Sequence, residues 1–306
     1  MPAEMCGVVG MRPSRGRYPL GGVVPCNIKH DTPGPMAITV ADLAVMDAAM
    51  VGEAAAVAPA DLAGIGVAVP ADLKGAAVPG HVRAIDLAVA AFQGAGATIK
   101  TEGVEWKQGH TEENHEKGID YREVGLDDYV KAHPTIGKTT EDILAASEYP
   151  FIRPFYQSPI NGKREPLVNM KNAGTAEEAA ALEEAFTAEL AAHEAAFGKF
   201  FDDHGVDVII TPCTHGHPPR VSTEAEYKDG TATIKKHMMV VFGPSTPIMY
   251  GVSLQIPSLA MPTAARHDPP EGHEGAAMPA GVLLWGRPGG DAKLIQVALA
   301  LEAAMK

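Results

Sequence analysis

Residues 1–42 read MPAEMCGVVGMRPSRGRYPLGGVVPCNIKHDTPGPMAITVAD. Chain starts are usually loosely patterned and tolerant of change. This one is dense in Gly, Pro and Arg, and it reads as scaffold: short apolar pieces at Gly7–Met11 and Gly22–Val24, separated by turns. Thr39 followed by Asp42 forms a helix-start signal, and Val40, Leu43, Ala44 and Met46 recur at helical spacing, which predicts a helix over Ala41–Val51.

The pattern continues outward from this stretch. Gly64–Pro70 (GIGVAVP) is an apolar run bounded by turn residues, a buried strand. His81–Gly94 carries Val82, Ile85, Leu87, Val89 and Phe92 at helical spacing, and Ala97–Thr101 and Val104–Trp106 then read as strand. Thr175 with Glu178 makes a capping box that opens the clearest helix, with Leu182, Phe186, Leu190, Phe197 and Phe201 on one face and Gly205 as its stop. Val206–Thr211, Ser258–Met261 and Val282–Trp285 read as strands, the last two joined by a Gly/Pro/His loop at 264–280. Asp291–Met305 is a terminal amphipathic helix with Leu294, Ile295, Val297, Ala298 and Leu301 inward. Strand–helix–strand order favours an α/β layer architecture. With neither an internal repeat nor a linker, residues 1–306 are expected to form a single domain, in which 107–173 is a polar, Pro-broken, helical or irregular segment.

Composition narrows the function. A net charge of −13 repels phosphate backbones and anionic lipid on average, so neither nucleic acid nor membrane is an expected partner. No apolar run reaches the length of a membrane span. Three cysteines, Cys6, Cys26 and Cys213, without metal spacing point to free thiols in a reducing, cytoplasmic compartment, with an organelle left open. Aromatic content is only 6%, so the core must be built from small aliphatic side chains.

Several blocks together resemble the amidase signature family of serine amide hydrolases: CGVVGMRPSRGRYPLGGVVP, HDTPGPMAITVAD, LAGIGVAVP with its helix and GAGATI, DVIITPCTHGHPP, IPSLAMP, and MPAGVLLWGRPGGDAKLIQVALALE. The resemblance implies a mixed sheet flanked by helices. It places Gly7, Gly10, Arg12, Pro13, Gly16, Arg17, Asp31, Thr32, Gly34 and Pro35 on the signature scaffold. Ile38 and Gln255 depart from the family pattern, which usually carries Arg and Gly there.

The implied mechanism needs a buried neutral Lys, a bridging Ser and a nucleophilic Ser in a Gly-Gly-Ser run, with backbone N–H groups stabilising the oxyanion. Met1-Pro2-Ala3 matches the end of that run, and no Gly-Gly-Ser or Ser-Ser occurs in the chain. The expectation is an amide hydrolase fold incomplete at its N-terminus, with no catalytic residue of its own and inactive alone. The alternative is a non-catalytic subunit that keeps the fold, or half of a split enzyme. A small amide would bind only once the missing part is supplied, and uncovered sheet edge should drive self-association or docking of a partner chain.

Individual residues carry competing readings. Cys6 is either a substitute nucleophile or a small buried hydrophobe in a tight strand. Arg12, Arg15 and Arg17 with Asp31 either clamp a substrate carboxylate or hold the loop and the Asp31 turn together. YPFIRPFY at 149–156, with Phe151 and Phe155, offers an apolar pocket opposite Phe242, Tyr250 and Gln255, or ordinary core filling. The clusters His110/Glu112/Glu113/His115/Glu116, His215/His217 and His267/His273 read as solvated loops, so neither a metal nor another cofactor is expected. Gly289-Gly290-Asp291 reads as a turn whose Asp caps the last helix.

Overall fold

The computed structural model describes residues 1–24, 31–53, 57–106, 119–120, 122–147, 168–169, 175–214, 216–218, 223–228, 256–268 and 277–306. A short helix α1 (Pro2–Met5) leads into strand β1 (Val9–Arg12), then β2 (Met36–Ala37) and helix α2 (Val40–Val51). β3 (Gly66–Ala68), α3 (Ala71–Ala76), α4 (Pro79–Gly94) and β4 (Thr98–Lys100) form the strand–helix–strand unit. The following segment holds β5 (Ile119–Asp120), α5 (Arg122–Ala132), a 3-10 turn (Pro134–Ile136), α6 (Thr140–Ala145) and β6 (Val168–Asn169). Then come α7 (Ala176–His204), β7 (Val208–Thr211), α8 (Glu224–Lys228), β8 (Ser258–His267), β9 (Met278–Trp285) and α9 (Asp291–Ala304).

Seven strands form one mixed sheet in the order β2-β1-β8-β9-β7-β3-β4. β3 pairs in parallel with β4 and with β7, while β1/β2, β1/β8, β8/β9 and β7/β9 are antiparallel. Side chains alternate across the sheet, as the pleat requires. Val67, Val208, Ile210, Leu259, Met261, Val282 and Leu284 face α2, α4 and α9. Ala68, Ile209, Ala260, Leu283 and Trp285 face Phe197, Phe200 and Phe201 of α7. Burial on both faces explains why these strands are apolar without interruption in sequence.

Local signals set the ends of the long helices. Thr39 accepts the Asp42 N–H at the start of α2. Thr175 and Glu178 cap α7 reciprocally, and Gly205 turns left-handed at φ +56 to stop it.

The structure corrects the sequence reading in four places. Gly22–Val24 is a turn closed by the Val23 N–H on the Leu20 carbonyl, not a strand. Val104–Trp106 is not a strand either: the Trp106 N–H goes to the Asp72 carboxylate, which removes it from any ladder. The 264–280 loop is shorter than expected, because β8 runs on to His267 and β9 starts at Met278, with a register irregularity between Pro262 and Arg266. Leu87 is exposed on α4, whose buried stripe is His81, Ala84, Ile85, Ala88 and Phe92.

Candidate functional site

The signature loop is held by close approaches and ion pairs. Gly10 lies where a Cβ would sit 2.4 Å from the Ala3 Cβ, and a Cβ on Gly34 would sit 2.0 Å from the Met11 carbonyl oxygen. The chain therefore folds back on β1 only with glycine at these positions. Met11 N–H donates to the Pro35 carbonyl, and Thr32 Oγ1 donates to the Pro33 carbonyl. Gly7 and Gly16 take φ +68 and +81, with Gly7 packed on Pro279 and Gly16 turning the exposed loop after Pro13.

The arginines divide their roles. Arg12 faces Asp31; burial pushes the guanidinium down to about 10, and the Asp31 charge opposes that. Arg17 does not join Asp31. It binds Asp47 of α2 through two nitrogens, and Tyr18 Oη donates to the same carboxylate. Ser14 N–H donates to Asp291 Oδ1, and Gly289 N–H donates to Ser14 Oγ, so the loop is stitched to the start of α9. Asp291 thus serves the signature loop, and the last helix begins at Gly290 with no side-chain cap.

Cys6 is exposed at the end of α1 rather than buried in a strand. Cys213 is the buried thiol, which burial pushes up to about 11. Phe151, Phe155, Phe242, Tyr250 and Gln255, together with His110, His115, His215, His273 and Cys26, lie outside the described residues. His217 is half-buried, its Nδ1 3.2 Å from the Pro218 carbonyl.

Behind α1 the structure assembles a polar cluster that spacing does not reveal. Glu4, His81 and His267 are buried together. His81 Nε2 lies 3.2 Å from Glu4 Oε1, and His267 Nε2 lies 3.8 Å from the same oxygen. The imidazoles meet edge to face at 4.6 Å between centroids. The Gly281 N–H donates to Glu4 Oε1 at 3.4 Å, and Thr214 Oγ1 is 3.4 Å from His81 Nε2. Burial alone would raise the Glu4 carboxyl, but the facing imidazoles outweigh it and lower it to about 2. Among the described residues this is the one group of His, Cys, Asp and Glu side chains converging as metal ligands would.

The Amidase family profile matches residues 1–295. The chain belongs to the amidase family. Over 308 aligned positions it is 28% identical to the 2-amino-5-chloromuconic acid deaminase of Comamonas testosteroni, covering 99% of this chain and 57% of that protein. It is 40% identical over 70 residues to the indoleacetamide hydrolase of Rhizobium radiobacter, which is 23% of this chain and 15% of that protein. A solved amidase superposes with a TM-score of 0.64 at 22% identity, covering 100% of this chain and 60% of that one. The peptide amidase of Stenotrophomonas maltophilia does so with a TM-score of 0.64 at 20% identity, covering 99% and 59%. The structural likeness establishes the amidase fold, a mixed sheet flanked by helices. This amidase-family chain spans about six-tenths of those relatives' length. Among its described residues no helix is long and apolar enough to cross a membrane.

Proposed function

We propose that this chain is the scaffold-bearing portion of a carbon–nitrogen hydrolase that converts a small amide into a carboxylic acid and an amine or ammonia. The observation that carries the reading is the family match over residues 1–295 of a chain whose sequence contains no Gly-Gly-Ser run. On this reading the fold supplies β1 and the signature loop, and the nucleophile, bridging Ser and Lys come from further polypeptide, in keeping with the lack of any Gly-Gly-Ser run in these 306 residues. Such groups act as a unit, and losing even one removes most of the rate. The proposal is that the chain alone is inactive and gains activity with a segment that brings them.

A covering segment also fits the surface. The edge strand β2 leaves Met36 exposed and Ile38 beside it 80% exposed, with Val45 and Met46 exposed on α2. An apolar sheet edge of this kind favours pairing with further polypeptide or with a second copy. The relatives' names, indoleacetamide hydrolase and mandelamide hydrolase, support an aryl-substituted acetamide as the first substrate class to try.

The experiment is hydrolysis of a panel of aryl and alkyl amides by the 306-residue chain and by the same chain fused to an amino-terminal segment bearing the Gly-Gly-Ser run and its Lys. The reading expects turnover only in the fusion. Turnover by the short chain overturns it, and a folded fusion silent on every amide favours a non-catalytic subunit instead.

A further inference from the structure

We infer that Glu4, His81 and His267 form a binding site for a divalent transition-metal ion of the zinc class, closed by the Thr214 hydroxyl. No part of this rests on amide hydrolysis.

The spacing of the three side chains suits such an ion. Tetrahedral zinc with nitrogen and oxygen ligands at about 2.0–2.1 Å sets its ligand atoms about 3.3 Å apart. Glu4 Oε1 stands 3.2 Å from His81 Nε2 and 3.8 Å from His267 Nε2, and all three ligand atoms lie within 4.8 Å of one another. Thr214 Oγ1 lies 3.4 Å from His81 Nε2, the same spacing. Its proton goes to the Gly216 carbonyl at 2.9 Å, so lone pairs are what it turns towards the cluster.

An ion would also satisfy a buried polar atom. Buried polar atoms normally find partners. His267 Nε2 is buried and has no hydrogen-bond partner among the described residues. A proton shared between Glu4 and His81 would leave this nitrogen as it is. A divalent cation engages both imidazoles and the carboxylate at once, and two neutral imidazoles with one carboxylate are a common zinc donor set.

The backbone also makes room for the His267 ring. Gly80 directly precedes His81 at the start of α4, and a Cβ there would fall 2.3 Å from His267 Nδ1. Only a residue without a side chain lets the end of β8 press its imidazole against the first turn of α4. The ion would join three elements distant in sequence, α1, α4 and β8. With its ligands buried, the site has a structural character: it clamps α1 to the sheet.

The test uses the 306-residue chain, stripped with a chelator and dialysed against Zn²⁺ or Co²⁺. The inference expects one equivalent of metal by elemental analysis and visible d–d bands typical of four-coordinate Co²⁺. Glu4→Gln and His267→Gln should each lose the bands and most of the bound metal, while His217→Ala keeps both. Should those variants fail to fold, melting of the wild-type chain decides: Zn²⁺ must raise the melting temperature of stripped protein, and chelator must lower it again. A stripped chain that stays metal-free in excess Zn²⁺, metal content unchanged in folded Glu4→Gln and His267→Gln, or a melting temperature indifferent to Zn²⁺ would each overturn the inference and leave a buried carboxylate–imidazole pair.

Discussion

Arg17 grips Asp47 from two sides: Nε meets Oδ1 and Nη2 meets Oδ2, each at 2.7 Å. The pair ties the signature loop to α2, and Tyr18 adds a hydrogen bond to the same carboxylate. Asp47→Asn leaves Arg17 without its counter-charge. Breaking fully buried pairs costs about 3–5 kcal/mol; with Arg17 partly exposed, about 2–3 kcal/mol is expected here. Urea unfolding of both proteins at neutral pH, with matched denaturant slopes, measures it.

The same pair predicts an acid dependence. Burial raises the Asp47 carboxyl, but the Arg17 and Tyr18 hydrogen bonds and the Arg17 charge outweigh it and hold it below its ordinary 3.8. Its stabilising contribution is complete above that ordinary value. It declines as pH falls towards the lowered folded value and is lost below it. The stability gap between wild type and Asp47→Asn should therefore be full at neutral pH and shrink under acid. A gap that widens on acidification would contradict the assignment.

Glycines in the signature loop should separate into two kinds. Gly34→Ala drives a Cβ into the Met11 carbonyl oxygen and should cost at least about 1–3 kcal/mol, the usual scale of overpacking. Gly21 has open space around it and no positive φ, so Gly21→Ala should be neutral or stabilising by up to about 1 kcal/mol. Paired thermal melts distinguish the two.

The face of the sheet under α7 holds an aromatic group in which Phe201 packs edge to face on Phe197 and Arg287 lies over the Phe201 ring. Phe201 is fully buried, so Phe201→Ala should destabilise by about 3–5 kcal/mol. Because Trp106 and Trp285 belong to the same cluster, the tryptophan emission of the native state should shift as well.

Thiol labelling should sort the two described cysteines. Cys6 is exposed and should react readily with a maleimide in native protein. Cys213 is buried with its thiol pushed up to about 11, so it should label only on unfolding. Peptide mass spectrometry reads each site separately.

Much of this fold can be read from local sequence. The Thr175/Glu178 box and Gly205 delimit α7 to within a residue, and the unbroken apolar runs of β3, β7 and β9 announce a sheet covered on both faces. The misreadings share a cause. Val104–Trp106 is apolar and aromatic, as a strand would be, yet a single distant carboxylate, Asp72, takes its backbone N–H. Asp291 resembles a helix cap until Ser14, 277 positions away, is seen to use it. The Glu4–His81–His267 cluster depends on strand order, which places β8 between β1 and β9 and against α4, and no spacing rule encodes that. One local signal was available: His81 heads the buried stripe that continues through Ala84, Ile85, Ala88 and Phe92, where a polar residue needs a partner.

A serine-directed phosphonate probe with site mapping by mass spectrometry bears on the proposal that the reacting serine lies outside this chain. The expected result is no labelled residue in the 306-residue chain, and one labelled serine, in the added Gly-Gly-Ser run, in the fused protein. Stoichiometric label on Ser14, Ser258 or any other hydroxyl of the short chain would contradict it.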